Sequence, residues 1–289
     1  MLITGATSGI GLAAVKGLTH EGHAVIGVAR SQIKADAAKQ KILEGNPEAD
    51  ITFLLADLSS QDQIHKLAQD VAATLKLMNR DSIDVLINNA GEVSSWYTLT
   101  EDGYERQFAV NHLASFLLTQ LILPYLQNAT NAKILTTSSA SHRNARINWK
   151  DVMYHRHYGT LKAYKQSKLA NVLFTLEFNR RLGEHSSIKS YAVDPGLVNT
   201  EIGAKGTNGF VNWFWSKRKR RGTTPEIAAE TIVYLACRSH LPYENEWYFK
   251  ACHPVKPSRY ARKIDPAKRL WDLSEKLTGL SSVLSGKSF

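Results

Sequence analysis

Short apolar runs alternate along this chain with longer stretches in which apolar side chains recur at helical spacing. The apolar runs cover residues 1–4, 24–29, 51–55, 83–87, 133–138 and 188–193, and the amphipathic stretches cover 10–20, 31–44, 60–77, 103–129, 160–184 and 226–238. Apolar strands that alternate with helices are typical of a parallel sheet covered by helices on both faces. The pattern therefore predicts an α/β, doubly wound parallel sheet of the Rossmann type, which binds ligands at the carboxyl ends of its strands.

No linker, repeat or low-complexity segment interrupts this alternation over the 289 residues. Doubly wound sheets of this length commonly form one core, so we expect a single NAD(P)-binding domain over residues 1–289 if the motifs below bind a dinucleotide. The two cysteines, Cys237 and Cys252, are too few for a disulfide framework and lack the spacing of metal ligands. We therefore expect no metal site.

The net charge indicates which partners the protein binds, and the targeting signals indicate its cellular location. The 36 Lys and Arg residues against 26 Asp and Glu residues give a formal net charge of +10, which favours anionic partners. The basic residues form no recognisable nucleic-acid-binding motif, so nucleic acid is not expected as a partner. No secretory signal and no apolar stretch of ~20 residues is present, so we expect a protein that is not secreted and is cytoplasmic or peripheral on a membrane. An apolar run that starts at residue 1 leaves open a missing amino-terminal segment.

A glycine-rich segment follows the first apolar run. Residues 4–11 have the spacing Gly-x-x-x-Gly-x-Gly, and the first helical pattern begins directly after them. Glycines let a backbone approach a pyrophosphate closely, and the N-terminus of a helix presents unpaired N–H groups to it. A glycine run alone is often only a tight turn, but its place between a strand and a helix favours a dinucleotide site.

Tyr164 and Lys168 lie four positions apart in a predicted helix, which places both side chains on one face. A free tyrosine titrates near ~10, and an adjacent ammonium is one of the few ways to lower its pKa toward neutrality. Such pairs also occur on many solvated helix faces. With a redox cofactor nearby, the pair would exchange a proton with an alcohol or a carbonyl.

Together with further motifs, these segments resemble the short-chain dehydrogenase/reductase family, and within it the retinol dehydrogenase branch, which also includes the dehydrogenase domain of the WW-domain oxidoreductases. The resemblance covers nearly the whole chain. The matching segments are residues 4–11, 88–91, 110–113, 137–142, 164–171 and 194–200. Residues 146–158 lengthen the spacing between two of these segments and resemble a loop of the same branch.

The resemblance implies an oxidoreductase with Asn111, Ser139, Tyr164 and Lys168 as catalytic residues. Ser139 and Tyr164 would contact the substrate, since Ser139 positions its oxygen and Tyr164 exchanges its proton. Lys168 would lower the pKa of Tyr164 and bind the nicotinamide ribose. Asn111 would hold a water of a proton relay, with a helix-kink residue as the alternative. The residues expected at the cofactor are Gly5, Thr7, Ser8, Gly9, Ile10, Gly11, Arg30, Asp57, Leu58, Asn89, Ala90, Gly91, Tyr164, Lys168, Pro195, Gly196, Val198 and Thr200.

The cofactor preference is predicted from Ala29 and Arg30, which end the second apolar run. An acidic residue there would bind the 2′-hydroxyl of NAD, whereas an arginine suits a 2′-phosphate. NADP(H) is therefore favoured over NAD(H), with Ser31 as a second phosphate donor. An exposed arginine without a ligand is the alternative. Asp57 would accept a hydrogen bond from the adenine amino group.

The resemblance places a substrate lid at about residues 203–222, where an aromatic stretch meets a basic run. Aromatic rings beside cations suit a membrane interface, so one interpretation is peripheral membrane contact through residues 209–221, and rings that only close the pocket are the other. We expect a small lipophilic substrate of the retinoid, sterol or long-chain type. His142, His155 and His157 are expected on the surface or in the substrate loop. The helical segment at about residues 254–289 resembles the carboxyl-terminal helix of the branch.

Competing functions stay open at this point because a fold does not fix a function. The alternatives are a reductase of small xenobiotic carbonyls or quinones and a non-catalytic nucleotide-binding regulator. The sequence also leaves the physiological substrate, the reaction direction and the oligomeric state undecided, a homodimer included.

Overall fold

The computed structural model of the chain describes residues 1–183, 186–198, 222–243 and 245–280. Thr200, the predicted lid up to residue 221 and the aromatic and basic segment 209–221 lie outside the described residues, as does the last part of the predicted carboxyl-terminal segment, from residue 281. The predictions for these positions stay predictions.

Strands and helices alternate through the described part of the chain. The strands are β1 Leu2–Thr4, β2 Val25–Ala29, β3 Ile51–Leu55, β4 Val85–Asn88, β5 Lys133–Thr137, β6 Lys189–Asp194, β7 Tyr248–Lys250 and β8 His253–Pro254. The helices are α1 Gly9–His20, α2 Gln32–Leu43, α3 Gln61–Leu77, α4 Arg106–Phe108, α5 Ala114–Gln127, α6 Thr160–Leu182, α7 Pro225–Cys237 and α8 Ile264–Thr278. A π-helical turn, Ala109–Leu113, joins α4 to α5, and 3₁₀ turns cover Ala140–Asn144 and Tyr260–Arg262.

The strands form one sheet in the order β3-β2-β1-β4-β5-β6-β7-β8. The pairs from β3 to β7 are parallel, and β8 pairs antiparallel with β7. The predicted doubly wound fold is therefore confirmed. Because the chain runs outward from β1 to β3 and then returns to β4 on the other side of β1, the strand order reverses between β1 and β4, where such sheets form their ligand crevice.

Alternate residues of the central strands enter two apolar layers. On one face, Leu2 packs in a core with residues of α3, α5 and α6. On the other face, Ile3 packs in a core with residues of α1 and α7. The central strands β1, β2 and β4 are buried on both sides, which explains why they are largely apolar rather than alternating.

The short strand β7, next to the edge strand β8, is not among the predicted strands. Its three residues are too few to carry a recognisable strand period. Tyr248 and Phe249 are nonetheless buried, at 1 % and 0 % exposure, and they enter opposite apolar layers. Long-range packing rather than local sequence therefore determines this strand.

The stretch Arg106–Gln127 corresponds to the predicted helix 103–129 and contains the π-helical turn. By length and composition it is also a candidate membrane span within the described residues, with a mean hydropathy of 1.3. However, 83 % of its most apolar window is buried inside the protein, as expected for the core helix of a doubly wound fold.

Helix α8 covers an apolar surface formed by α5 and α6. The Trp271 ring lies 5.0 Å from the ring centre of Phe116 and stacks on Phe174 at 5.9 Å. The guanidinium of Arg181 lies 4.6 Å from the Trp271 ring centre, and the indole N–H donates to Glu275 at 2.7 Å. Trp271 is 2 % exposed, so this surface is covered within the chain itself.

Replacing Trp271 with alanine is expected to lower the free energy of unfolding by about 3–5 kcal/mol, because the change removes a buried aromatic side chain and leaves a cavity. Urea denaturation followed by circular dichroism measures the loss. Ile264→Ala, on the exposed side of the same helix, is the control and should change stability by less than about 0.5 kcal/mol. Equal effects of the two variants would contradict the docking of α8.

Candidate active site

Two loops meet where the strand order reverses, one after β1 and one after β4. The hydroxyl oxygen of Thr4 accepts from the backbone N–H groups of Asn89 and Ala90, each at 3.0 Å. The side-chain amide of Asn89 donates back to the Thr4 carbonyl at 3.1 Å. These bonds hold the predicted glycine-rich segment against the predicted segment 88–91.

Two glycines make this approach sterically accessible. Gly5 has a φ of +66°, and a Cβ built there would lie 2.9 Å from the Cα of Ala90. A Cβ on Gly11 would lie 2.0 Å from the Gly5 carbonyl oxygen. Larger residues would push the two loops apart and fill the space beside the N-terminus of α1.

The N-termini of α1 and α2 are both open to an anion. Their N-cap residues, Ser8 and Ser31, make no side-chain capping bond. The N–H groups of the first turn of each helix therefore keep their affinity for a phosphate. Ser8 is exposed, and Arg30 is exposed at the end of β2, directly before α2. The glycine cradle and the two open helix ends fit the phosphates of a dinucleotide.

Asp57 lies beyond the end of β3, close to this arginine. Its carboxylate accepts from the N–H and the hydroxyl of Ser59 at 2.9 and 2.8 Å. Burial alone would raise the pKa of Asp57, but the two bonds from Ser59 and the charge of Arg30 outweigh it and leave the pKa below its ordinary value. Asp57 therefore stays ionised, as an acceptor at this edge of the sheet.

Tyr164 and Lys168 are both buried on α6, at 8 % and 3 % exposure. The Lys168 ammonium lies 5.9 Å from the centre of the Tyr164 ring and donates to the carbonyl of Thr137 at 3.2 Å. A Cβ on Gly91 would lie 3.1 Å from this ammonium. The structure thus places Tyr164 and Lys168 of α6 at the carboxyl ends of β4 and β5.

Burial gives Lys168 an unusual protonation equilibrium. It lowers the pKa of the ammonium from 10.5 to about 8. Among the residues that the structure describes, no carboxylate forms an ion pair with it. The Thr137 carbonyl that it contacts also accepts from the side-chain amide of Asn171 at 3.0 Å. Lys168 is therefore a buried cation, still largely charged at neutral pH, without a counter-ion in the described structure.

The two serines after β5 differ in accessibility. Ser138 is 1 % exposed, and its hydroxyl donates to the backbone carbonyl of Lys168 at 2.8 Å. Ser139 is partly exposed, and its hydroxyl oxygen accepts from the N–H of Ser141 at 3.2 Å. Of this pair, only Ser139 presents a hydroxyl that a substrate can reach.

Asn111 lies in the π-helical turn, fully buried. Its amide nitrogen donates to the Glu92 carbonyl at 3.0 Å and to the Ser167 hydroxyl at 2.9 Å, and its amide oxygen accepts from the Glu92 N–H at 2.7 Å. The side chain fastens the loop after β4 to α6. Both amide hydrogens are used within the protein, so a relay water would have to donate to an oxygen of Asn111. The relay role and the helix-kink role of Asn111 both stay predictions.

The loop after β6 reaches the same edge of the sheet. The N–H of Gly196, which has a φ of +79°, donates to the Asp194 carboxylate at 3.0 Å. Pro195 is half-buried, and Val198 forms an isolated bridge with Thr223. The described members of the predicted cofactor set therefore lie at the carboxyl ends of the strands or in the segments that follow them.

The sequence does not indicate every residue of the site. Asn171 shares a carbonyl with Lys168, and its place three positions further along the same helix face was the available signal. The expectation of a surface or substrate-loop position is wrong for His142, which is 0 % exposed, whereas His155 and His157 are exposed. His142 packs against Tyr248, far along the chain, so no local pattern indicates its burial.

In the described ranges, no three His, Cys, Asp or Glu side chains cluster to hold a metal ion.

Known sequences resemble the chain over most of its length. A family model described as short chain dehydrogenase matches residues 1–209. Retinol dehydrogenase 11 of Homo sapiens is 34% identical over 280 residues, which cover 97% of this chain and 86% of that protein. Retinol dehydrogenase 14 of Mus musculus is 33% identical over 298 residues, with 97% and 86% covered.

Solved structures agree with this similarity. A crystal structure of an uncharacterised protein from Mycobacterium paratuberculosis is 32% identical, has a TM-score of 0.74 and covers 97% of this chain and 93% of its own. A metagenomic short-chain oxidoreductase in complex with NADP is 23% identical, with a TM-score of 0.62 and coverage of 89% and 96%. At that identity, the second likeness concerns the fold alone.

Replacing Lys168 with methionine is expected to raise the free energy of unfolding at pH 7 by about 1–3 kcal/mol, because it removes an unpaired buried charge and leaves the Thr137 carbonyl its bond from Asn171. Since the folded-state pKa of about 8 lies below the unfolded value of 10.5, the charge lowers stability fully below pH 8 and progressively less above it. The gain should therefore shrink between pH 8 and pH 10.5.

Urea denaturation of both proteins at pH 7 and at a pH above 9 measures this difference. Lys162→Met, at an exposed position on the same helix, is the matched control and should show neither effect. A Lys168→Met protein that is less stable than wild type at pH 7, or a gain that stays constant with pH, would contradict the buried charge.

Proposed function

The chain belongs to the short-chain dehydrogenase family and, within it, to the retinol dehydrogenase branch, and from this premise we propose that it interconverts a lipophilic alcohol and its aldehyde or ketone with NADP(H). It is an oxidoreductase that acts on CH–OH groups of a small-molecule substrate with a nicotinamide cofactor. One observation carries the proposal: the buried Lys168 ammonium, which forms no ion pair with a described carboxylate, lies beside the Tyr164 ring. The same sheet edge holds the accessible hydroxyl of Ser139.

The cofactor preference follows from the charges and open helix ends at this edge. Arg30 and the uncapped N-terminus of α2 would bind a 2′-phosphate, and Asp57 and Leu58 would flank the adenine. The residues expected around the pyrophosphate are Gly5, Thr7, Ser8, Gly9, Ile10 and Gly11, and those expected around the nicotinamide half are Asn89, Ala90, Gly91, Pro195, Gly196, Val198 and Thr200. When bound, the nicotinamide donates or accepts a hydride.

The protein's own groups would handle the proton. Tyr164 would give its hydroxyl proton to the substrate oxygen in reduction and take it back in oxidation. The charge of Lys168 stabilises the phenolate that this exchange leaves behind. Ser139 accepts from Ser141, and no described residue accepts its hydrogen, so Ser139 can donate to the substrate oxygen.

A lipophilic substrate is supported by apolar side chains on the loops beside the site. Trp96 and Leu99, after β4, are 63 % and 48 % exposed, and Leu197, after β6, is 40 % exposed. Exposed apolar side chains beside a site favour an apolar ligand. The curated relatives are named retinol dehydrogenases, which supports a retinoid-like substrate. Peripheral membrane contact through residues 209–221 is part of the same proposal and rests on the sequence pattern there.

Tyr164→Phe is expected to lower the rate of NADPH-dependent reduction by at least about 100-fold, because it removes the group that supplies the proton, while NADPH binding is retained. NADPH oxidation at 340 nm measures turnover with retinal, long-chain aldehydes, steroid ketones and quinones. Tyr234→Phe, on the distant helix α7, is the control and should keep the wild-type rate.

Each outcome of this substrate panel separates the proposal from its alternatives. Fastest turnover of retinal or another long-chain carbonyl supports a lipophilic substrate, whereas fastest turnover of quinones favours the xenobiotic reductase. Tight NADPH binding without turnover of any substrate favours a nucleotide-binding regulator. Turnover that survives in Tyr164→Phe would remove Tyr164 from the mechanism.

Arg30→Ala is expected to lower kcat/KM for NADPH by about 10–100-fold, since a charge-assisted bond to the 2′-phosphate is lost, and to leave kcat/KM for NADH unchanged. Lys41→Ala, at the far end of α2, should alter neither value. Steady-state kinetics with both nucleotides checks this. An equal or higher kcat/KM with NADH in the wild-type protein would refute the preference for NADP(H).

A further inference from the structure

His142 is a fully buried histidine that the proposed proton transfer does not use. It lies on the 3₁₀ turn Ala140–Asn144, which begins directly after Ser139. Its ring centre lies 5.1 Å from that of Tyr248 on β7. The histidine therefore links the turn after β5 to strand β7.

The hydrogen bonds of the ring fix its tautomer. The backbone N–H of Ser258 donates to Nε2 of His142 at 3.1 Å, so Nε2 carries no hydrogen. Nδ1 lies 2.8 Å from the carbonyl oxygen of Ser139, which can only accept, so the ring hydrogen is on Nδ1. Burial lowers the pKa of His142 below its ordinary value, which agrees with a neutral ring.

Further hydrogen bonds connect the His142 ring to the loop after β6. The Tyr248 hydroxyl lies 3.4 Å from Nδ1 of His142 and 3.3 Å from the carboxylate of Asp194. Because Nδ1 carries a hydrogen, the Tyr248 hydroxyl directs its own hydrogen to Asp194. The other oxygen of Asp194 accepts from the Gly196 N–H. His142, Tyr248 and Asp194 are each at most 1 % exposed, so this chain of bonds is shielded from water.

We propose that His142 is a positioning residue, which fixes the main chain of Ser139 relative to the loop at residues 195–198. The two ends of the chain of bonds are the residue expected to bind the substrate oxygen and the loop expected to hold the nicotinamide, so this inference rests on the proposed function. Hydride transfer requires these two parts of the site to keep a fixed separation, because small displacements of reacting groups reduce rates strongly.

The tautomer is tested without any turnover. In protein labelled with ¹⁵N-histidine, the resonances of His142, assigned by comparison with His142→Asn, should report a neutral ring with its hydrogen on Nδ1 at pH 7. A charged ring, or a hydrogen on Nε2, would overturn the arrangement of bonds from which the proposal is drawn.

Two amide variants of His142 distinguish a positioning role from a role in core packing alone. His142→Asn places an amide near the former Nδ1, where it can still donate to the Ser139 carbonyl, and His142→Gln places its amide nearer to Nε2, where it can accept from Ser258. We expect kcat within about threefold of wild type for His142→Asn and about 10–100-fold lower for His142→Gln, with NADPH affinity unchanged in both.

A purely structural role would make kcat follow the thermal stability of the variants instead of the position of the amide. Equal loss of kcat in both variants would therefore refute the proposal. A wild-type protein without turnover, but with the hydrogen on Nδ1, would instead refute the proposed function of the site and leave the bonding of His142 intact.

Discussion

The buried ammonium of Lys168 is the constraint around which the carboxyl edge of the sheet is arranged. The Thr137 carbonyl accepts its hydrogen bond, and Ser138 fixes the Lys168 backbone carbonyl. Gly91 leaves room for the ammonium because it lacks a side chain. A buried cation without a counter-ion is unfavourable for folding. We infer that the fold retains it because a phenolate and an anionic cofactor would supply the missing negative charge during the reaction.

The N-termini of the helices at this edge differ in whether a side chain caps them. Ser60 and Thr224 cap the N-termini of α3 and α7 with their side chains. Ser8 and Ser31, at α1 and α2, make no such bond, although serine is a favourable capping residue. These two serine-started helices begin after β1 and β2, where a dinucleotide would place its phosphates. At these two helix ends, a bound phosphate would accept hydrogen bonds from N–H groups that no serine side chain caps.

The sequence predicts the elements whose periods are long enough to recognise and the motifs whose residues are consecutive. The helix spacing of Tyr164 and Lys168 predicts their proximity, and both are buried side by side on α6. The strand β7 and the burial of His142 escape prediction for one shared reason. His142 and Tyr248 are 106 positions apart and become buried through each other, so neither segment carries a local signal. The engagement of both Asn111 amide hydrogens is likewise visible only once the π-helical turn brings Ser167 and Glu92 to it.

Direct titration of Lys168 measures the property on which the proposed site depends. In protein labelled with ¹³C at the lysine ε-carbon, the resonance that is missing from a Lys168→Met sample identifies this residue, and its chemical shift against pH gives the pKa of the ammonium. We expect a pKa of about 8 in the free protein. A pKa near the ordinary lysine value of 10.5 would mean that the ammonium is solvated or paired, and would refute the buried, unneutralised charge.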